Sequence, residues 1–353
     1  MASGWPGVKT ARAEPMKTLL ITGVHGVLGR AAARQAVASG WRVIGVDQKP
    51  AARPLADVEC VQADIRNPLL SRLLKAEGVD AIFHGAFRWR IRLRPDIFEN
   101  NVVGAVKLLE AAAEAGVQRI IMPSNAFVYG AHPLHPPLIP EGAPFRGPSS
   151  YGYIRDLRDI ETFLKGFRQQ HPEMTITVLR FANLLGRGYA SPLARHLSLP
   201  LVPVVLGANP LISALHVDDG ARAVIQALEA GRGGVYNVAA QPPLPLLTII
   251  EQVGRQALPL PESVLHAGLE WAATLSKKQI IRPPLPWDYL RHSWALSTRA
   301  IRDAWGFTPA YDAEAVLREF AREQPAAPDI LTPLHRAIAA GKNALRAFTS
   351  SPS

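Results

Sequence analysis

The stretch ITGVHGVLG, residues 21–29, leaves a chain few ways to fold. It closes a short apolar run, KTLLITG (17–23), that reads as a buried strand. It opens VLGRAAARQAVASG (27–40), an alanine-rich helix stopped by Gly40. A second strand, WRVIGVD (41–47), follows at once. Strand, glycine-rich turn, helix and strand within about thirty residues form the repeating unit of a parallel sheet. Each glycine has its own reason. Gly23 permits the sharp turn, Gly26 lets a pyrophosphate come close to the backbone, and Gly29 lets the helix pack on the strand.

The helix that starts here aims free N–H groups at whatever lies in the turn, which favours phosphate. His25, Val27 and Leu28 complete the expected contacts of the turn with a dinucleotide. Asp47 ends the second strand, where a carboxylate accepts hydrogen bonds from the adenosine ribose and repels a 2′-phosphate. NAD is therefore expected over NADP, a preference that Lys49 softens.

The alternation continues down the chain. Strands are expected at 58–64, 80–86, 118–125 and 175–181, and helices at 68–78, 96–116 and 151–167. The strands are almost uniformly apolar, as parallel strands buried on both faces must be. The fold class expected is a doubly wound parallel α/β sheet, a Rossmann fold, with a smaller cap. Residues 1–15 read as a flexible tail, 16–185 as the NAD-binding domain, 186–330 mostly as the substrate cap, and 331–353 as a terminal helix or tail. Within the cap, 217–240 returns to the sheet as helix and strand.

Composition narrows the partners. Of 353 residues, 48% are hydrophobic and 19% charged, which is globular rather than disordered. The net charge of +10 favours anionic ligands. Nucleic acid is not expected, because zinc spacings, basic zippers and RNA-binding signatures are missing. Cys60 is the single cysteine, so no intrachain disulfide forms; this fits a reducing compartment, and a cytoplasmic location is expected. Residues 1–16 carry no apolar core of a secretory signal, and no apolar run of about 18 residues predicts a membrane-spanning helix.

Read in order, TGVHGVLG (22–29), ADI (63–65), HGAF (84–87), ENNVVGAVKLLEAA (99–112), SNAFVYG (124–130), YGYIR (151–155), LRFANLLG (179–186), HVDDGARAV (216–224) and YNVA (236–239) resemble the extended short-chain dehydrogenase/reductases, the NAD-dependent epimerase/dehydratase family. The resemblance runs from about residue 17 to about 310. It implies a general acid/base tyrosine, Tyr151 by position, working on a substrate hydroxyl or carbonyl while hydride passes to or from nicotinamide. It implies cofactor contacts at Asp64, Ile65, Gly85, Ala86 and Asn101. It also implies a lysine four residues after the tyrosine and a hydroxyl residue before the Val-Tyr-Gly. The sequence departs at both places: Arg155 stands for the lysine, and Asn125, preceded by Ser124, stands for the hydroxyl residue. Arginine keeps the charge but is planar, larger and never deprotonated. Asparagine donates a hydrogen bond but relays no proton. Three readings follow: an NAD-dependent oxidoreductase or epimerase, a non-redox isomerase, lyase or cyclase, or an NAD(H)-binding protein without turnover.

The segment FRWRIRLRP (87–95) alternates arginines with apolar residues. It is either an anion clamp, with Arg88 foremost, or a solvated strand edge. In the resembled family an arginine shortly before the His-Val-Asp grips a nucleotide-sugar diphosphate; Ile212 falls near that place, and 191–212 is strongly apolar. A small, lipophilic, non-nucleotide substrate is expected, with Asn183 as a further contact and Asn101 as a brace. His216 is expected to cap the following helix. No metal is expected at His132 and His135, whose proline-rich loop precludes a helix. Residues 333–348 pattern as an amphipathic helix, and helices 96–115 and 151–167 are long enough to pair two copies as a homodimer.

Overall fold

A computed structural model describes residues 16–50, 53–264 and 283–324. The terminal tails and the 333–348 helix expected from sequence lie outside these residues.

Seven parallel strands make the main sheet, in the order β11-β6-β5-β4-β1-β2-β3. They are β1 (Thr18–Thr22), β2 (Arg42–Asp47), β3 (Val58–Gln62), β4 (Ala81–His84), β5 (Arg119–Asn125), β6 (Thr175–Phe181) and β11 (Gly234–Val238). Strand order reverses beside β1, between β4 and β2, which opens a crevice at the carboxyl edge. Alternate side chains feed two cores. Leu19 and Ile21 face helices α1 (Val27–Ala38) and α7 (Val217–Ala230), while Leu20 faces α2 (Leu70–Ala76) and α4 (Gly104–Ala115). Both faces are covered across the central strands, as their apolarity predicts, while the edge strand β3 leaves Glu59, Cys60 and Gln62 exposed.

The helix expected over 96–116 is not uniform. Short α3 (Pro95–Phe98) runs through a π turn (Glu99–Val103) into α4. Within this wider turn both Asn100 and Asn101 are buried. α5 (Gly152–Gln170) then packs on the same side, its first turn reaching over the sheet edge into the other core.

The rest of the chain packs around the sheet, much of it at the carboxyl edge, with Arg299–Trp305 instead beside the end of α7 and the start of β11. It includes β7 (Asn183–Leu185), α6 (Pro192–Leu197), β8 (Leu201–Val205), β9 (Leu211–Ile212), β10 (Ala214–His216), β12 (Leu244–Pro245), α8 (Leu246–Gln252), β13 (Gln256–Leu260), α9 (Asp288–Arg291), α10 (Arg299–Trp305) and α11 (Ala313–Arg322). Three two-stranded pairs tie it together: β10 with β7, β12 with β9 and β13 with β8. His216 caps α7 by accepting from the Asp218 amide at 3.2 Å, as its position predicts.

A buried ion pair joins the layers. Arg180 on β6 meets Glu161 on α5 at 2.6 Å, both side chains about 4% exposed. Ser124 at the end of β5 donates to the same carboxylate. Arg180 also donates to the Tyr129 hydroxyl at 2.7 Å and to the Glu141 carbonyl at 2.8 Å. The Tyr129 hydroxyl in turn donates to Asn237 on β11. Burial pushes the Tyr129 phenol up to about 12, so it stays a neutral donor. Removing one partner of such a pair strands the other. Glu161→Ala is expected to cost about 3–5 kcal/mol in urea unfolding, and the double change Glu161→Leu with Arg180→Met to recover much of it.

Candidate functional site

The glycine turn after β1 is built on contact. Gly23 has φ +66°, and a Cβ there would lie 2.7 Å from the Ala86 nitrogen. A Cβ on Gly29 would lie 2.3 Å from the Gly23 carbonyl oxygen. The turn therefore admits no side chain at these places, and it leaves the start of α1 open to a ligand. Behind it, Asp47 accepts from the His25 amide at 3.1 Å and the Lys49 amide at 3.2 Å. The His25 ring Nδ1 pairs with the Lys49 carbonyl at 2.8 Å.

Two cavities meet at this turn. One, of ≈200 Å³, runs past Gly23, Asp47, Gln48, Ile65, Ala86 and Asn100. The other, of ≈340 Å³, runs from Gly26, Val27, Leu28 and Gly29 to Ser124 and Asn125 at the end of β5. Gly85 and Arg88 line both. The first has the carboxylate and polar edge that an adenosine needs. The second has the apolar walls of Phe87, Leu157, Phe181 and Leu184. NAD fits this arrangement, with Gly26 at the start of α1, where the two cavities meet, as the place for its pyrophosphate.

The segment after β4 is not a strand edge; it lies outside every strand. Its backbone caps α5 instead. The Arg90 carbonyl accepts from the Tyr153 amide at 3.0 Å, and the Ile91 carbonyl from the Gly152 amide at 2.8 Å. A Cβ on Gly152 would lie 2.7 Å from the Arg92 carbonyl oxygen, so the approach requires glycine there. Trp89 and Ile91 turn to the core, while Arg88, Arg90, Arg92 and Arg94 face outward. The Arg88 guanidinium donates to the Gln48 side chain.

Asn101 locks this wall. Its Oδ1 accepts from the Arg88 amide at 2.8 Å, and its Nδ2 donates to the Arg88 carbonyl at 3.0 Å and to Asp156 at 2.9 Å. Asp156 is buried and takes Arg155 at 2.7 Å. Arg155 also lies over the Phe98 ring, 4.8 Å from its centroid. Tyr151 precedes α5 by one residue, is buried, and meets Tyr153 edge-on at 6.0 Å. Neither Tyr151 nor Arg155 lines the two cavities.

The remaining expected residues divide. Asn125 lines the larger cavity, but its Oδ1 accepts from the Phe127 amide at 3.0 Å and its Nδ2 donates to the Ala182 carbonyl at 3.4 Å. Asp64 stands outside both cavities, paired to Arg66 at 2.6 Å, which holds its carboxyl below the usual range. Asn183 donates to the Ser213 carbonyl at 2.9 Å, and its Oδ1 is buried without a partner. His132 and His135 lie ring to ring at 6.1 Å, and among the described residues no group of three His, Cys, Asp or Glu could hold a metal ion. Tyr189 and Arg195, which line the larger cavity, carried no motif that sequence reading could use.

His84 sits under the turn, its Nδ1 at 2.8 Å from the Thr22 hydroxyl and its Nε2 buried without a partner. Burial pushes its pKa down to about 4, against about 6.5 in an unfolded chain. The unfolded state therefore binds more protons below pH ~6.5. The stability that neutral His84 brings is complete above that pH and drains away as pH falls towards 4. His84→Gln is expected to flatten the fall in urea midpoint between pH ~7 and ~4.5; an unchanged slope would refute the assignment.

Comparison with known proteins agrees with this geometry. The profile of the NAD dependent epimerase/dehydratase family matches residues 19–239. An uncharacterized protein of Mycobacterium tuberculosis is 34% identical over 228 residues, 62% of this chain and 61% of that one. A UDP-glucose 4-epimerase of Azospirillum brasilense is 29% identical over 215 residues, 57% of this chain and 60% of its own. The chain thus spans about three-fifths of these curated relatives. Among solved structures, UDP-glucose-4-epimerase from Stenotrophomonas maltophila with bound NAD and formylated UDP-arabinopyranose superposes with a TM-score of 0.67 at 21% identity, covering 87% of this chain and 97% of that one. The UDP-Glc/GlcNAc 4-epimerase of Campylobacter jejuni gives 0.68 at 19% identity, covering 86% and 98%. At such identities the shared property is the fold.

Proposed function

The chain belongs to the NAD dependent epimerase/dehydratase family, and we propose that it is an NAD-dependent oxidoreductase or epimerase acting on a hydroxyl or carbonyl of a small, lipophilic, non-nucleotide substrate. The observation that carries this reading is the glycine cradle opening into a cavity with apolar walls that ends at Ser124 and Asn125. Bound NAD supplies the hydride acceptor or donor. Gly26 to Gly29 hold its phosphates by backbone, and Asp47 the adenosine ribose.

Tyr151 moves the proton of the substrate hydroxyl. Its carbonyl accepts from the Arg155 amide at 3.0 Å, so the two residues stand one helical turn apart on one face. A phenol titrates near ~10 and needs a cation close by to work near neutrality, and Arg155 is that cation. Ser124 donates its hydrogen bond to Glu161, which leaves its oxygen an acceptor at the cavity wall. Ile212 is buried in β9, which supports a substrate without the nucleotide diphosphate of the named relatives. The enzyme is read as cytoplasmic, and the outer faces of α4 and α5 as the surface that pairs two copies.

A second reading, NAD(H) binding without turnover, is favoured by other observations. Asp156 and Phe98 hold Arg155, Asn125 spends its amide on backbone, and Tyr151 lies outside the cavity lining. Tyr151→Phe separates the two. The first reading expects NADH affinity within about twofold and a loss of at least ~10²-fold in single-turnover hydride transfer at 340 nm over a panel of alcohols and ketones. Wild-type protein that binds NADH yet turns over no member of the panel would support the second.

A further inference from the structure

The larger cavity carries a charge pattern that the cofactor cradle does not explain. Three arginines line it, Arg88, Arg90 and Arg195, and no Asp or Glu does. Their origins are far apart in sequence. Arg88 and Arg90 come from the segment after β4, and Arg195 from α6 on the stacked layer. A small void lined by Trp89, Ala190, Pro192 and Arg195 marks the seam where the two segments meet. Arg88 is committed to Gln48 on the adenosine side. The guanidiniums of Arg90 and Arg195 have no hydrogen-bond or ion-pair partner among the described residues.

The two buried acids of α5 are already engaged. Asp156 is held by Arg155 and Asn101, and Glu161 by Arg180. Two uncompensated guanidiniums beside one cavity repel each other, and a cleft walled by a single sign concentrates counter-ions. Guanidinium is also the side chain that best matches the two-oxygen edge of a carboxylate or phosphate. The other walls are Phe87, Trp89, Leu157, Phe181, Leu184 and Tyr189, which suit an apolar body.

We infer that Arg90 and Arg195 bind an anionic group, carboxylate or phosphate, at one end of the otherwise apolar substrate. This deepens the proposed function and rests on it for the word substrate. The site takes an amphiphilic acid whose charge is neutralised at the seam while its apolar part lies towards Ser124 and Asn125.

The test uses the full-length chain saturated with NAD, so that the cofactor's own phosphates occupy the cradle. Benzoate and phenyl phosphate are titrated by calorimetry into wild type and into Arg90→Ala with Arg195→Ala. Both side chains are exposed, so the double variant is expected to keep the wild-type melting temperature. The expected result is at least tenfold weaker probe binding in the variant, with NAD affinity within twofold. The tighter of the two probes identifies the anion as carboxylate or phosphate. Equal probe affinity in the two proteins overturns the inference. So does failure of both probes to bind the wild type, and so does a parallel loss of NAD affinity, which would assign the arginines to the cofactor. If the wild type binds no NAD, the proposed function falls alone, and the same pair of titrations on the unloaded chain decides the arginine site.

Discussion

The Glu161–Arg180 pair is the constraint around which this molecule closes. Two opposite charges sit where water scarcely reaches, and their cost is offset by the further hydrogen bonds that surround them. Ser124, Tyr129, the Glu141 carbonyl and Asn237 do that work. The residues belong to α5, to the ends of β5 and β6, to the loop after β5 and to β11. A packing of helix on sheet that hydrophobic contact alone would leave free to slide is thereby given one register. Ser124 is part of that network and part of the cavity wall, so the site inherits its precision from the core.

A second line of polar contacts sets the opposite wall. The π turn offers Asn100 and Asn101 together, and Asn101 grips the Arg88 backbone from both sides while reaching Asp156. Arg155 joins the end of that line rather than standing apart from it. Replacing lysine by arginine at this place therefore changes more than a side chain near a ribose. The planar guanidinium lies over Phe98 and forms a two-bond contact with Asp156. A compact ammonium, with its three rotatable donors and no flat face, has no equivalent stacked geometry.

Much of the fold was legible in the sequence because the forces that make it are local or periodic. Uniformly apolar runs gave the strands, glycines at 23, 26 and 29 gave the turn, and the alternation gave the parallel sheet. The π turn was not legible, since it depends on what Asn100 and Asn101 find across the crevice. The segment 87–95 alternated as a strand would, yet its carbonyls serve as the cap of a helix some sixty residues on. Periodicity reports which side chains turn inward; it does not report what the backbone will bond. Arg195 and Tyr189 escaped notice for a different reason: their meaning arises only where α6 and the loop before it fold back over the sheet edge.

Asn237 fixes the point in synthesis at which the polar network can be completed. It belongs to the last strand of the main sheet and lies 57 positions after Arg180. Until that strand has emerged, the Tyr129 hydroxyl has no acceptor there and the Glu141 carboxylate lacks the Asn237 amide that it accepts. A nascent chain halted before β11 would thus hold six strands around a charged interior that is still partly unsatisfied. Vectorial synthesis thus delivers the acceptor for Tyr129 together with the last strand of the sheet, so closure of the sheet and full pairing of its buried polar groups become one event.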